Sequence, residues 1–269
     1  MIQMTESRDT LSLLETAGFA PKIRMRIETE KFVIKTVETA EELRTVLGLR
    51  YEIFHREFRN STLPFGLDVD RYDFICDHLI IQNKSNGQLI GTYRLISSTF
   101  SDVFYSQEEF HLDQLLKMPG IKLELGRACI DRGYRSGVVI ALLWRGLAQY
   151  VREVKADYLF GCSSAKTMDP HEVSSIFQYL RDGGYVSGDF GVSPKPDYVM
   201  PELSERPGVQ SNPDAAKEWI PSLLSSYLKA GAKVCGQPAL DRDFQCTDFF
   251  TVLQTDKLTK MFERKYQVV

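Results

Sequence analysis

The sequence predicts an α/β protein, in the α+β sense, with a mixed sheet arranged around one long central helix. Three observations lead to this class. Short apolar runs typical of strands alternate with segments of helical periodicity along most of the 269 residues. The pair Asn86-Gly87 between two such runs is a strong hairpin signal, so part of the sheet is antiparallel. Residues 137–155 carry a broad apolar face, which is typical of a helix that packs on a sheet.

Capping and periodicity signals define the predicted helices. Thr39 and Glu42 form a capping-box pattern at the start of the second helix, whose apolar residues recur at helical spacing. Glycines end three others, with Gly18 after the first, Gly183 after the fifth and Gly231 after the sixth. In chain order, the predicted helices lie at residues 5–17, 39–58, 111–117, 137–155, 170–181, 221–230 and 256–266.

Apolar runs between turn signals define the predicted strands. The segment from Lys84 to Gly87 joins two of them as a hairpin, and the alternating residues Leu123 and Leu125 mark another. In chain order, the predicted strands lie at residues 32–34, 78–82, 88–96, 122–130, 157–162, 232–235 and 249–254.

One large domain accounts for most of the chain. We place an N-terminal helix and a basic segment at residues 1–30, and the main domain at residues 31–269. Residues 186–217 are dense in Pro, Ser, Gly and Asp, which predicts a long loop insertion. Long loops in compact domains are usually functional.

Charge and cysteine content exclude several classes of protein. The net charge of −3 gives no overall basic character, so we expect no nucleic-acid partner. The five cysteines are widely spaced without a CxxC pair, which indicates reduced thiols rather than disulfides or a metal site. We see no signal-peptide pattern and no apolar run of membrane-spanning length. We therefore expect a cytoplasmic protein, with peripheral contact at the inner membrane left open.

Charged residues within apolar strands are the strongest chemical signal. The chain has no glycine-rich phosphate loop, GxSxG elbow or HExxH motif, which removes the commonest nucleotide, serine-hydrolase and zinc classes. Arg94, Glu124 and Arg127 lie inside predicted strands, where a charge is costly unless it is paired. Such groups often mark a functional site.

Further polar residues surround the helix predicted at residues 39–58. Arg50 and Phe54 lie four residues apart and share one face of that helix. His78 begins the first strand of the predicted hairpin. The loop between helix and strand is crowded with carboxylates, at Asp68, Asp70 and Asp73.

These segments together resemble the branch of the GNAT superfamily that uses acyl carrier protein (ACP). The resemblance is carried by residues 49–54, 70–73, 91–95 and 124–127. Two subfamilies share this pattern, the acyl-homoserine-lactone synthases and the ornithine-lipid type of N-acyltransferases, also described as hemolysin-like. The chain is more similar to the second, through residues 76–79, 134–137, 142–146, 160–164, 228–236 and 241–248. The similarity covers roughly residues 30–255 and implies a GNAT fold with a C-terminal elaboration.

The resemblance implies direct attack of a free amine on a fatty acyl thioester. No covalent enzyme intermediate is expected, and a carboxylate near the cleft accepts the proton of the amine. We assign the catalytic roles to Glu124, as base, and to Arg127. Backbone N–H groups before the long helix are expected to stabilise the tetrahedral oxyanion. The substrate-binding residues implied are Arg50, Phe54, Asp70, Asp73, His78 and Arg94.

One departure from the wider superfamily bears on the acyl donor. GNAT enzymes that use coenzyme A carry an Arg/Gln-x-x-Gly-x-Gly/Ala turn, which the segment at residues 132–137 fits poorly. The start of the following helix can still bind one phosphate through its N–H groups. We therefore expect acyl-ACP as co-substrate, with no bound cofactor and no metal. The residues assigned to ACP and its phosphopantetheine arm are Arg132, Arg135, Ser136, Gly137 and Arg145.

Several alternatives stay open at this point. Glu124 and Arg127 also fit a structural ion pair, and His78 fits a buried strand histidine without a role in binding. The chain also fits an acyl-homoserine-lactone synthase that uses S-adenosylmethionine, although those chains generally lack a C-terminal third such as this one. A third alternative is a GNAT module that binds acyl-ACP or lipid without turnover. The acceptor amino acid, with ornithine, lysine, glycine and glutamine as candidates, is not identified by the sequence.

Contact with a membrane is a separate expectation. A mono-acylated amino acid is a lyso-lipid, so an enzyme that makes it gains from lying at the membrane surface. The predicted N-terminal helix and the basic segment from Lys22 to Arg26 are our candidates for that contact.

Overall fold

The computed structural model describes residues 19–201, 203 and 213–266. The helix predicted at residues 5–17 lies outside these residues. The described α-helices are α1 (Ala40–Arg50), α2 (Asp113–Lys117), α3 (Gly137–Val154), α4 (Pro170–Asp182), α5 (Pro213–Trp219), α6 (Ser222–Ala230) and α7 (Lys260–Tyr266). A π-helix, Tyr51–Phe58, continues directly from α1.

The strands run from β1 to β12 in chain order. They are β1 (Arg26–Glu28), β2 (Phe32–Thr36), β3 (Asp77–Asn83), β4 (Leu89–Ser97), β5 (Phe110–His111), β6 (Lys122–Ile130), β7 (Tyr158–Ala165), β8 (Val186–Ser187), β9 (Ser193–Pro194), β10 (Lys233–Cys235), β11 (Ala239–Asp241) and β12 (Cys246–Gln254).

The described chain divides into two compact units. The first unit contains residues 19–102 and 123–155, and the second contains most of the remainder, residues 103–122 and 156–266 as far as they are described. The domain predicted over residues 31–269 thus comprises two units. The boundary predicted at residue 30 stays a prediction.

The first unit is an antiparallel sheet with helices on both faces. Its strands pair in the order β1-β2-β3-β4-β6. Neighbouring residues of β3 point to opposite faces. Leu79 lies beneath Gly146 of α3, whereas Ile80 packs in the cluster that contains Leu43 and Leu47 of α1. This double coverage explains why the first five residues of β3 are buried.

The second unit contains both antiparallel and parallel strand pairs. β12 pairs antiparallel with β7, β10 and β11, and β10 pairs parallel with β8. Side chains from α4 and α6, among them Val173 and Leu224, form a core with Phe249 of β12. The strand pairs are mostly antiparallel, and the parallel pairing of β8 with β10 makes the sheet mixed, which confirms the predicted α/β class with a mixed sheet.

The structure confirms two local predictions, the cap at the start of α1 and the hairpin between β3 and β4. The Thr39 hydroxyl accepts a hydrogen bond from the N–H of Glu42 at 3.2 Å and caps α1. β3 and β4 form the predicted hairpin, in which Gly87 adopts a φ of +71°. Glycine takes this left-handed conformation without the steric cost that a Cβ atom brings.

Two predicted segments differ from the structure. The helix expected at residues 39–58 is α-helical only to Arg50 and continues as the π-helix. The loop insertion expected at residues 186–217 contains β8, β9 and the start of α5. Pairing of β8 with β10, which lies more than forty residues further along the chain, is a long-range contact that local composition does not reveal.

Among the described residues, no helix combines the length and the apolar character that crossing a membrane requires.

Two helical glycines allow the packing of α3 to be tested. A Cβ atom at Gly146 would lie 2.6 Å from Cγ2 of Ile34, whereas a Cβ atom at Gly48 in α1 would meet nothing within 4 Å. We expect Gly146→Ala to destabilise the protein by about 1–3 kcal/mol through overpacking. Gly48→Ala should stabilise it by about 0.5–1 kcal/mol, because alanine loses less backbone entropy in a helix. Urea unfolding followed by circular dichroism measures both, and equal midpoints for the two variants would contradict the close approach of α3 to β2 and β3.

Candidate active site

A buried network of charged side chains lies in the first unit. Its members are three arginines and three aspartates, Arg50, Arg94, Arg127, Asp68, Asp70 and Asp73. Burying a charge costs several kcal/mol unless an opposite charge and hydrogen bonds compensate it. The mutual pairing of these six residues supplies that compensation.

Arg50 is the innermost member and lies at the last residue of α1. Its side chain has no exposed surface. Its Nε donates to Oδ2 of Asp68 at 2.7 Å, and its Nη1 and Nη2 donate to the two oxygens of Asp73 at 2.5 and 3.3 Å. The planar guanidinium therefore holds two carboxylates at fixed angles, because its donors form a rigid fork.

Arg94 enters the network from the middle of β4. Its Nη1 donates to Oδ1 and Oδ2 of Asp70 at 2.7 and 2.6 Å, and to Oδ1 of Asp73 at 3.4 Å. Its guanidinium carbon lies 5.5 Å from the centre of the Tyr72 ring. Gly126 pairs with Arg94 on the neighbouring strand β6. A Cβ atom at Gly126 would lie 3.9 Å from Nε of Arg94, which is an ordinary van der Waals contact.

Arg127 reaches the network through a local distortion of β6. Its φ of +48° lies in the left-handed region, which is unfavourable for a residue with a Cβ atom. The pairing with β4 shifts register at the same place, between Thr92 and Arg94. Nη2 of Arg127 donates to Oδ2 of Asp70 at 3.3 Å, and its Nε lies 3.6 Å from Oδ2 of Asp68. Such bulges redirect a side chain, and their backbone strain persists where surrounding contacts hold it.

The aspartates also build the loop that carries them. Asp70 caps the 3-10 turn Arg71–Phe74 by accepting from the N–H of Tyr72 at 2.9 Å. Oδ2 of Asp73 accepts in return from the N–H of Asp70 at 2.8 Å. The two carboxylates therefore cap the loop and bind the arginines at once.

The arginines keep Asp68 and Asp70 ionised. Burial by itself would raise the pKa of Asp70, but the positive charges of Arg94 and Arg127 outweigh it and lower the pKa to about 2. Burial of Asp68 is outweighed in the same way by Arg50 and Arg127, so its pKa lies well below the ordinary value. The network is therefore an array of charged pairs at neutral pH.

Glu124, the predicted base, lies on β6 beside this network. Its side chain is buried, with 3% of the residue exposed. Glu124 pairs with Ile96, two residues along β4 from Arg94. Paired residues and residues two apart on a strand share one face of the sheet, so Glu124 and Arg94 lie on the same face. Arg127 reaches Asp70 and Asp68 from a position three residues beyond Glu124.

The two aromatic residues predicted to bind substrate, His78 and Phe54, are both at least partly buried. His78 is fully buried, and its Nε2 lies 3.3 Å from the carbonyl oxygen of Asp73 and 3.2 Å from Sγ of Cys76. Burial lowers the pKa of His78 to about 4, so the ring is neutral at physiological pH. His78 thus supports Asp73 from the interior. Phe54 is half-buried on the π-helix.

The sequence assigned no role to His55 or Asp68. His55 is buried on the π-helix, and its Nε2 lies 3.1 Å from Oδ1 of Asp68. His55 follows Arg50 by five residues, a spacing that brings side chains together in a π-helix but not in an α-helix. A search of the sequence for α-helical spacing therefore does not detect this pair.

Three groups of described residues bring potential metal ligands within 4.8 Å of one another. In the first unit these are Asp73, Cys76 and His78. Arg50 and Arg94 already occupy the Asp73 carboxylate, and their positive charges oppose a metal ion there. The two groups of the second unit are Glu109, Cys162 and Asp248, and Asp241, Cys246 and Asp248.

The residues assigned to the acyl donor lie around the start of α3. Arg132, Arg145, Ser136 and Gly137 are exposed. Arg135 donates to both carboxylate oxygens of Glu57 at 2.5 and 2.7 Å, and its Nε donates to the carbonyl of Ile130. The charge of Arg135 is thus already balanced by Glu57.

Known proteins that are similar to this chain include acyltransferases. A family model described as an acetyltransferase (GNAT) domain matches residues 49–145, which include all six residues of the network and Glu124. An L-ornithine N(alpha)-acyltransferase of Rhizobium meliloti (strain 1021) is 30% identical over 246 residues, covering 86% of this chain and 83% of the relative. One from Brucella abortus (strain 2308) is 28% identical over 248 residues, covering 87% and 88%.

Solved structures that are similar to this chain include two synthases. FeeM, an N-acyl amino acid synthase from uncultured soil microbes, is 12% identical and covers 85% of this chain and 94% of its own, with a TM-score of 0.49. The CoA-dependent acyl-homoserine lactone synthase BjaI is 15% identical and covers 84% and 83%, with a TM-score of 0.44.

The lowered pKa of Asp70 predicts how stability depends on acid. A carboxyl group with a depressed folded-state pKa stabilises the fold above its unfolded value and loses this contribution as the pH falls. We therefore expect the first unit to lose stability between about pH 4 and pH 2. Asp70→Asn should make this loss shallower, whereas Asp102→Asn, at an exposed loop position, should leave it unchanged. In a Trp219→Phe background, fluorescence of Trp144, which is buried on α3, reports unfolding of this unit, and identical acid profiles for both variants would contradict the prediction.

Proposed function

The chain belongs to the L-ornithine N(alpha)-acyltransferase family and is an acyltransferase that acts on an amine, and we propose that it acylates the α-amino group of an amino acid such as ornithine. We further propose that the acyl group is a fatty acyl chain, 3-hydroxylated or not, and that acyl carrier protein delivers it. The product would enter aminolipid synthesis. The family predicted from the resemblance is confirmed, and the acyl donor and the lipid product are the proposal.

The observation that carries the proposal is the gradient of exposure across the charged network. The side chain of Arg50 is fully buried, that of Arg127 is 13% exposed and that of Asp70 is 25% exposed. A small molecule that approaches the network would therefore meet Arg127 and Asp70 first. One guanidinium and one carboxylate at this edge match the carboxylate and the ammonium group of a free amino acid.

The proposed reaction is direct aminolysis of the thioester. The α-ammonium group loses a proton to Glu124, directly or through a water molecule, and the neutral amine attacks the thioester carbonyl. The C–N bond forms, the C–S bond breaks, and the phosphopantetheine thiol leaves with a proton. The products are an amide, a thiol and the proton held by Glu124, so atoms and charges balance.

The start of α3 supports a phosphopantetheine thioester as donor. Helix N-termini carry unpaired N–H groups and a positive dipole, which suit a phosphate. Among the described residues, the Ser136 side chain makes no cap bond to α3, so it does not satisfy these N–H groups. Arg132 and Arg145 lie exposed nearby in sequence and suit the acidic surface of an acyl carrier protein.

Contact with a membrane stays part of the proposal. Within the basic segment, Arg24 pairs with Glu38 at 3.5 Å and Arg26 pairs with Glu28 at 2.9 Å. Exposed ion pairs of this kind are weak. The arginines can therefore exchange these partners for anionic lipid headgroups at little cost.

Substitution of the base tests the reaction. We expect Glu124→Gln to lower kcat by about 10²–10⁴-fold, because the amide cannot accept the proton. Glu41→Gln, on the exposed first turn of α1, is the matched control and should keep the wild-type rate. Mass spectrometry of lipids from a bacterial host that expresses each variant identifies the N-acyl amino acid formed. Wild-type yields from Glu124→Gln would refute the base assignment, and no new species from the wild type would refute the proposed function.

Charge reversal on the donor surface tests the role of acyl carrier protein. We expect Arg132→Glu with Arg145→Glu to lower kcat/KM for acyl-ACP by about tenfold or more, because like charges at an interface cost affinity. The same double variant should process a small acyl thioester without a carrier protein at the wild-type rate. Arg44→Glu, an exposed change on α1, serves as the control. Equal losses with both donors would show that this surface does not recognise the carrier.

A further inference from the structure

We propose that His55 is a positioning residue that selects amino acids with a free carboxylate as acyl acceptors. It would do so by holding Asp68, which in turn orients Arg127 toward the acceptor. This inference rests on the proposed function and adds to it the source of carboxylate recognition.

The π-helix is the feature that brings His55 to Asp68. Arg50 and His55 are five residues apart, and in an α-helix such residues point about 140° away from each other. A π-helix closes its hydrogen bonds from residue i to residue i+5, so residues five apart lie one above the other. Arg50 accordingly reaches Oδ2 of Asp68 at 2.7 Å, and His55 reaches Oδ1 of the same carboxylate at 3.1 Å.

The protonation of this pair follows from the charges around it. Asp68 is ionised, because Arg50 and Arg127 outweigh the effect of its burial and hold its pKa well below the ordinary value. An ionised carboxylate can only accept hydrogen bonds. Nε2 of His55 therefore carries a hydrogen and donates it to Asp68.

The second contact fixes the plane of the Asp68 carboxylate. Oδ2 of Asp68 is shared by Arg50 and, at 3.6 Å, by Nε of Arg127. If only one carboxylate oxygen accepted hydrogen bonds, the carboxyl group could rotate about its Cβ–Cγ bond while keeping its hydrogen bond to Arg50. The bond from His55 to the other oxygen removes this freedom and keeps Oδ2 facing Arg127.

Of the three arginines, Arg127 is the one whose position is most sensitive to a rotation of the Asp68 carboxylate. Its backbone is held at a φ of +48°, and its side chain is the most exposed of the three arginines. Its guanidinium contacts Asp70 at 3.3 Å and Asp68 at 3.6 Å, so its direction depends on both carboxylates. Loss of the His55 bond is expected to weaken binding of the acceptor carboxylate, while the proton transfer at Glu124 continues.

The test compares acceptors with and without a carboxylate. L-Ornithine and its decarboxylated analogue 1,4-diaminobutane are each assayed with acyl-ACP for the wild type and for His55→Leu. We expect the variant to raise KM for ornithine by about tenfold, the usual range for a lost buried hydrogen bond, with kcat changed little. The value of kcat/KM for diaminobutane should be the same in both proteins.

Two further variants separate positioning from stability. His55→Gln places an amide N–H near the former Nε2 and should restore most of the preference for ornithine. Tyr150→Phe removes a buried hydroxyl that donates to Asp77 in the same unit at 2.8 Å, and it should leave that preference unchanged. If His55→Leu is insoluble, His55→Asn, whose amide ends short of Asp68, takes its place.

The outcomes distinguish this inference from the function on which it rests. Equal losses for ornithine and diaminobutane in His55→Leu, with ornithine still a substrate of the wild type, would overturn the role of His55 alone. A wild-type protein that acylates neither compound nor any other amino acid would overturn both. A loss confined to ornithine that Gln restores would establish the role.

Discussion

The guanidinium of Arg50 is fully buried, and its pairing with Asp68 and Asp73 is the interaction on which the rest of the site depends. A buried guanidinium without partners would cost several kcal/mol, so the loop after the π-helix must fold back onto the end of α1. That return brings Asp70 within hydrogen-bond distance of Arg94 on β4 and Arg127 on β6. Arg94 and Arg127 can then meet it from the sheet. The network is thus anchored at Arg50 in the core, and the positions of Asp70 and Arg127 at its edge depend on the contacts further inside.

The loop satisfies two demands with the same side chains. Asp70 and Asp73 cap their own 3-10 turn and neutralise the arginines, so no separate scaffold is needed to hold them. This coupling makes the network rigid, because a shift of either carboxylate breaks a backbone bond as well as an ion pair. Rigid charges in a buried site are worth more to catalysis than mobile ones, since they need not reorganise when charge develops on the substrate. His78 and Cys76 complete the support on the inner side of Asp73.

Unusual backbone geometry at two places directs side chains into the site. The π-helix after Arg50 turns His55 toward Asp68, and the left-handed conformation of Arg127 turns its side chain out of the regular alternation of β6. Both conformations are unfavourable locally, and both are held by the charged network that they complete. Strain of this kind is characteristic of functional sites, where surrounding contacts over-determine the backbone. Glu124 and Arg94 have regular partners on the paired strands β6 and β4. The sheet therefore fixes their positions next to these distortions.

The sequence by itself determined the features whose causes are local. Thr39 capping α1 and the hairpin at Asn86-Gly87 each depend on residues a few positions apart, and the α/β class follows from hydrophobic periodicity over short windows. It also marked Arg94 and Arg127, because a charge in an apolar strand stands out wherever its partner lies, and the resemblance to a known family added Arg50, Asp70 and Asp73. Only the tertiary structure decided which carboxylate each arginine binds, that His55 belongs to the site, and that Arg127 leaves the strand geometry. These features depend on residues from 13 to 57 positions apart, and the energy that selects them arises only when the chain has brought those residues together.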